Sequence, residues 1–122
     1  MADVETSLKE AMSIGGAVGA ALVDYESGMT LGTAGGGALD LEVAAAGNTD
    51  VVRAKMRTME QLGLDDRIED ILITLGDAYH LIRLVRSGRG TGLFFYLALD
   101  KGTSNLAMAR RSLQNIEAEL DV

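Results

Sequence analysis

His80 is the only histidine in the chain, and cysteine is absent. Together these facts set a low ceiling on acid–base and nucleophilic chemistry. A catalytic triad needs a base near neutral pH, held against a nucleophile and oriented by an acid. His80 stands between Tyr79 and Leu81 in an extended run and has neither companion. It reads as a partly buried structural histidine. A zinc site would need at least two more nitrogen or sulfur ligands, and the chain does not supply them.

Carboxylates and glycines are the remaining candidates. Asp65, Asp66, Glu69 and Asp70 form the densest acidic patch, and carboxylates hold magnesium or calcium. The patch lacks the alternating Asp-x-Asp-x-Asp-Gly loop with its closing glutamate, so it reads as a solvated loop leading into an exposed strand. A phosphate loop requires Gly-x-x-x-x-Gly-Lys-Ser/Thr at the mouth of a helix. Here Lys101-Gly102 reverses that order, and Gly35-Gly36-Gly37 has no lysine after it. Gly88, Gly90 and Gly92 join two strand-like runs, so no helix N-terminus faces a pyrophosphate there. No catalytic residue, metal or cofactor is expected, and the chain is not read as an enzyme.

Charge narrows the partners further. Eighteen acids against eleven bases give a net charge of −7, which opposes the phosphate neutralisation that drives nucleic-acid binding. Arg83, Arg86 and Arg89 gather around one turn, a pattern that suits a solvated hairpin. The longest apolar run, Ile14 to Val23, is shorter than the roughly 20 residues a spanning helix needs. The start of the chain is acidic and does not read as a secretory signal. A cysteine-free chain suits a reducing, cytoplasmic setting. The 122 residues are expected to form a single domain, 1–122.

Hydrophobic periodicity supplies the elements that must position these side chains. Val4, Leu8, Ala11 and Met12 mark one face of a first helix, stopped by Gly15-Gly16. Ala17 to Asp24 is apolar on both faces, the mark of a central strand. It turns at Tyr25-Glu26-Ser27-Gly28 into a return strand, Met29 to Ala34. Asp40 is the N-cap of a helix predicted to reach Leu62, with Gly47-Asn48 as its weak point. Strands are predicted over Arg67–Leu75, Tyr79–Arg86 and Leu93–Leu99, with a turn over residues 87–92 between the last two. The third of these is again apolar on both faces. Thr103 or Ser104 caps a last helix whose apolar face is Leu106, Ala109, Leu113, Ile116 and Leu120. The order αββαβββα predicts an α+β three-layer sandwich. Its five-stranded antiparallel sheet has the terminal helices on one face and the middle helix on the other.

The middle helix carries the most telling pattern. Leu41, Ala45, Val52, Met56 and Met59 form a large apolar stripe. Beside it Val43, Gly47, Val51, Ala54, Thr58 and Leu62 form a mostly small one. Small residues at helical spacing let a second helix approach closely; the competing reading packs this stripe on the sheet. The polar side holds Glu42, Ala46, Asp50, Arg53, Arg57 and Glu60.

The run Gly16-Ala17-Val18-Gly19-Ala20-Ala21-Leu22-Val23-Asp24, with Glu26-Ser27-Gly28 and the glycine triplet, resembles the first hairpin of the roadblock family, named for dynein light chains. Asp50-Val51-Val52-Arg53-Ala54-Lys55, then Ile68 to Thr74 and Tyr79 to Arg83, are similar to the middle portion of bacterial, especially actinobacterial, members. Asn105 to Arg110 resembles the opening of the family's last helix. The resemblance implies a profilin-like roadblock fold and a non-catalytic homodimer. It also implies a role as scaffold or regulator of a small Ras-like GTPase. Pairing would then run through Val43, Gly47, Val51, Ala54 and Thr58, and through Ile68, Asp70 and Leu72 on the following strand. Asp50, Arg53, Arg57 and Glu60 are the expected partner-binding residues. The alternative is a profilin-like or PAS-like ligand-sensing module. That would need an aromatic-lined cavity, for which Phe94, Phe95 and three tyrosines are a thin supply.

Overall fold

Two strands without a polar face, β1 (Ala17–Asp24) and β5 (Leu93–Asp100), lie side by side at the centre of the sheet. This arrangement comes from a computed structural model that describes residues 1–86 and 92–122. Among the described residues the remaining strands are β2 (Thr30–Gly35), β3 (Asp70–Thr74) and β4 (Ala78–Leu84). The helices are α1 (Val4–Met12), α2 (Leu41–Gln61) and α3 (Leu106–Glu119). The sheet order is β2-β1-β5-β4-β3, antiparallel throughout. Every residue of β5 from Leu93 to Leu99 is buried, because helices cover both faces of this strand.

Alternation along the strands divides the core in two. Leu22, Phe95, Leu97 and Leu81 face α1 and α3, where Leu8, Ala109 and Leu113 meet them. Val23, Phe94, Tyr96 and Ile82 face α2, which contributes Leu41, Ala45 and Val52. The layer order is therefore the one the sequence predicts. Gly19 is required where β1 passes the glycine triplet, since a Cβ there would lie 2.9 Å from Gly36 Cα.

Element ends depart from the pattern-based reading where local hydrogen bonds decide. Asn105, not Thr103 or Ser104, caps α3: its Oδ1 accepts from Met108 N at 3.0 Å. Thr103 instead donates its hydroxyl to Asp100 Oδ2 at 2.7 Å. The third strand begins at Asp70 rather than Arg67, the intervening loop being tied by Asp66 Oδ1 accepting from Arg67 N. α2 runs unbroken through Gly47-Asn48. There Asn48 donates to Ala44 O and Thr49 to Ala45 O, both at 2.8 Å, while Ala45 and Val52 anchor the helix on the sheet. The turn predicted over residues 87–92 falls on residues outside the described ones as far as Thr91, and so does Arg89.

Candidate interaction surface

α2 packs on β1 and β2, so its two flanks have different surroundings. One flank overhangs the β1–β2 hairpin. Glu42 accepts from Thr30 Oγ1 at 3.2 Å, and Arg53 Nε donates to Tyr25 O at 2.7 Å while its terminal nitrogen donates to Glu26 O. The other flank carries Val43, Gly47, Val51, Ala54 and Thr58, all exposed. Val43 is 67% exposed and Val51 37%, and a Cβ built at Gly47 meets nothing within 4 Å. The small-residue stripe therefore does not pack on the sheet of its own chain, which removes that reading of it.

By helical geometry Val43, Gly47 and Ala54 lie opposite the buried Leu41, Ala45 and Val52, and Val51 borders the side of α2 away from the hairpin, toward β4 and β3. There Ile71, Ile73 and His80 are only half-buried, although equivalent positions nearer β1 are sealed. An apolar floor and an apolar wall thus meet at an open slot.

β3 forms the rim of this slot and is a sheet edge. Leu84 N donates to Glu69 O and Leu75 N to Ala78 O. By antiparallel alternation, Asp70, Leu72 and Thr74 aim their N–H and C=O groups outward, without a backbone partner among the described residues. Side chains of the predicted interface residues lie elsewhere. The Asp70 carboxylate is held by Arg110 in a two-pronged contact at 2.9 and 3.0 Å. Leu72 packs toward α1 and α3, and Ile68 precedes β3 and packs on the α2 side. The edge therefore offers backbone, not side chains.

The expected partner-binding residues separate as well. Asp50, Arg57 and Glu60 are exposed and make no ion pair among the described residues. Arg53 is not a free cation: its guanidinium clamps α2 to the β1–β2 turn. A groove of about 440 Å³ opens between α2 and the sheet end, lined by Tyr25, Met56, Met59, Ile68 and Leu84 together with the charged Glu60, Arg67 and Arg86.

His80 has one side-chain hydrogen-bond partner among the described residues, Tyr96. Its Nδ1 lies 3.2 Å from the Tyr96 hydroxyl, and the rings meet edge to face at 5.3 Å. Burial lowers its pKa below the ordinary histidine value, and burial pushes the Tyr96 hydroxyl up to about 12. Among the described residues no group of three or more His, Asp or Glu side chains is placed to hold a metal. Also among them, no helix is long and apolar enough to cross a membrane.

One feature was missed by pattern reading. Arg83 Nε and Glu117 Oε1 form an ion pair at 3.1 Å, with side chains only 6% and 5% exposed. Glu117 Oε2 also accepts from Arg86 N. The available signal was a charge at a core-facing position in each element: Arg83 follows Tyr79 and Leu81 at a spacing of two, and Glu117 adjoins Ile116.

At the level of sequence, no family model and no curated protein matches the chain. Its structure is similar to the Roadblock/LC7 domain from Streptomyces avermitilis, with a TM-score of 0.79 and 12% identity over 96% of this chain and 93% of that one. It is also similar to MglB of Myxococcus xanthus, with a TM-score of 0.75 and 18% identity over 93% and 78% of the two chains. For the gliding protein MglB of Thermus thermophilus the values are 0.68 and 17%, over 94% and 88%. The fold is thus the roadblock fold, with its αββαβββα order and five-stranded antiparallel sheet.

Proposed function

We propose that residues 1–122 act as one roadblock-like domain, a non-catalytic regulatory scaffold that pairs with itself and binds a small Ras-like GTPase in the cytoplasm. The observation that carries this reading is the open slot: exposed Val43, Gly47 and Val51 stand beside a half-covered sheet floor. A second α2, laid against the first, has small residues where the helices must approach and apolar residues where the floor must be covered. Outward N–H and C=O groups on β3 fit the same two-fold arrangement. Pairing them joins two five-stranded sheets, covers one edge of each, and leaves β2 at both ends.

The hairpin-side flank of α2 stays free in such a pair: it holds Arg57 and Glu60, with Asp50 at its border with the small-residue stripe. We assign these to the GTPase contact, with Arg53 as the residue that positions the helix beneath them. Mixed charges favour steering and specificity, and binding through them weakens as salt rises. The test is direct. Light scattering on the purified chain should give twice the chain mass at micromolar concentration. The Ras-like GTPase encoded nearest to this gene should bind that pair in at least one nucleotide state, and charge reversal at Arg57 should weaken binding without changing the mass. Failure of every Ras-like GTPase of the source organism to bind the intact pair would sink the scaffold reading.

A ligand-sensing module keeps one specific support, the groove beside Met56 and Met59. Its signature would be a small molecule retained through purification and released on denaturation.

A further inference from the structure

His80 lies on the floor of the slot that the proposed self-pair would fill, and the inference here rests on that self-pair. In register it stands between Ile73 of β3 and Ala98 of β5, on the sheet face that looks toward α2. The imidazole is half-buried before any second copy arrives. Tyr96 beneath it is fully buried, and its hydroxyl has no other bond to a described residue besides the 3.2 Å contact to His80 Nδ1.

That contact has a preferred protonation state. A neutral imidazole can offer Nδ1 as acceptor to the tyrosine hydroxyl; an imidazolium has donors at both nitrogens. Protonation therefore sets two donors against each other until the hydroxyl turns, and a turned hydroxyl has its own proton unpaired. Neighbouring charges do little to rescue the cation. On the same face β3 presents Ile71 and Ile73, and β4 presents Ala78 and Ile82. Asp100 of β5 shares this face, but one of its oxygens is occupied by the Thr103 hydroxyl. The exposed stripe of α2 is itself uncharged; Asp50, four residues before Ala54, borders it on the hairpin side and Lys55 on the other. A second α2 would bring the same uncharged stripe with the same two bordering charges.

We propose that His80 makes self-pairing proton-gated: with a neutral imidazole the slot accepts a second α2, and with an imidazolium it rejects it. Covering the slot removes water from His80, which raises the cost of the charged form. Burial already holds the pKa below the ordinary histidine value, and pairing depresses it further. The neutral form is then favoured in the pair. Pairing is strongest above the histidine pKa of the separate chain and is lost as pH falls below it. Each pair holds two such residues, so the dissociation constant rises by up to about a hundredfold per pH unit below that point.

Sedimentation equilibrium of the full chain, from about pH 7.5 to about one pH unit below the His80 pKa that an NMR titration of the separated chain gives, reads this directly. The dissociation constant should rise at least about tenfold across that window. The His80→Gln variant, whose amide still meets the Tyr96 hydroxyl, should pair at neutral pH and lose most of the dependence. A wild-type pair whose constant stays flat overturns the gate while leaving the self-pair intact. So does an unchanged slope in a folded His80→Gln, or in His80→Asn should the glutamine variant not fold. A chain that is monomeric at every pH refutes the self-pair itself, and the gate with it.

Discussion

The two faces of the sheet are built to different degrees of completion. On the α1–α3 side, Leu8, Leu113, Phe95 and Leu97 are buried to a few per cent or less. Even the charges there, Arg83 and Glu117, have been drawn out of water and matched to each other. On the α2 side a single helix must serve the whole face, and it lies toward β1 and β2. Valines stay exposed on its flank, and Ile71, Ile73 and His80 are only partly covered. The first face needs nothing more. The second has apolar surface left over on both its helix and its floor, and that surplus directs attention to a second copy.

Substitutions can test how deep this difference goes. The largest effect should come from the sealed face. Glu117→Ala strands the Arg83 guanidinium in the core, which costs about 3–5 kcal/mol, read as a shift of the urea midpoint. A loss under about 1 kcal/mol would mean that water reaches the pair and that this face is less closed than described. Next is the clamp between α2 and the β1–β2 turn. Arg53→Ala removes hydrogen bonds to two exposed carbonyls and should cost about 1 kcal/mol, and the proposed GTPase contact should weaken through a displaced helix. Should stability hold while binding disappears, Arg53 touches the partner itself. Smallest in folding energy is the open flank. Ala54→Arg should leave unfolding of the separated chains within about 0.5 kcal/mol, because the site faces solvent. The same change should halve the mass in solution, since a buried, unpartnered guanidinium is not tolerated between helices. Persistence of the pair in that variant would place the self-contact elsewhere.

Much of the fold was legible from local pattern. β1 and β5 read as neighbours because each is apolar on both faces, and only a strand covered on both sides tolerates that. Asp40 read as an N-cap, and its Oδ1 accepts from Glu42 N and Val43 N. Cap choice at α3 is less legible, since Thr103, Ser104 and Asn105 are all competent acceptors; Thr103 is taken by Asp100, and Asn105 accepts from Met108 N. From the sequence Arg53 reads as an outward-facing partner-binding residue; a helical wheel shows that its side chain points away from the sheet but not that the β1–β2 turn lies within its reach. From the sequence Asp70 reads as a dimer-interface residue; that Arg110, 40 residues away, holds its carboxylate is not visible in any local window.

Sequence alone determined the element order, the two-sided burial of the central strands, the absence of a cysteine nucleophile or thiolate ligand, and the presence of a small-residue stripe on α2. These depend on residue type and on spacings of two and about 3.6, both readable along the chain. Only the tertiary structure decided that the stripe lies open rather than against the sheet, that Arg83 meets Glu117, and that His80 rests on Tyr96. Each of those depends on where α2 sits across the sheet and on how distant segments come into register. Such placements are set by packing the whole core at once, and no local window of the chain contains them.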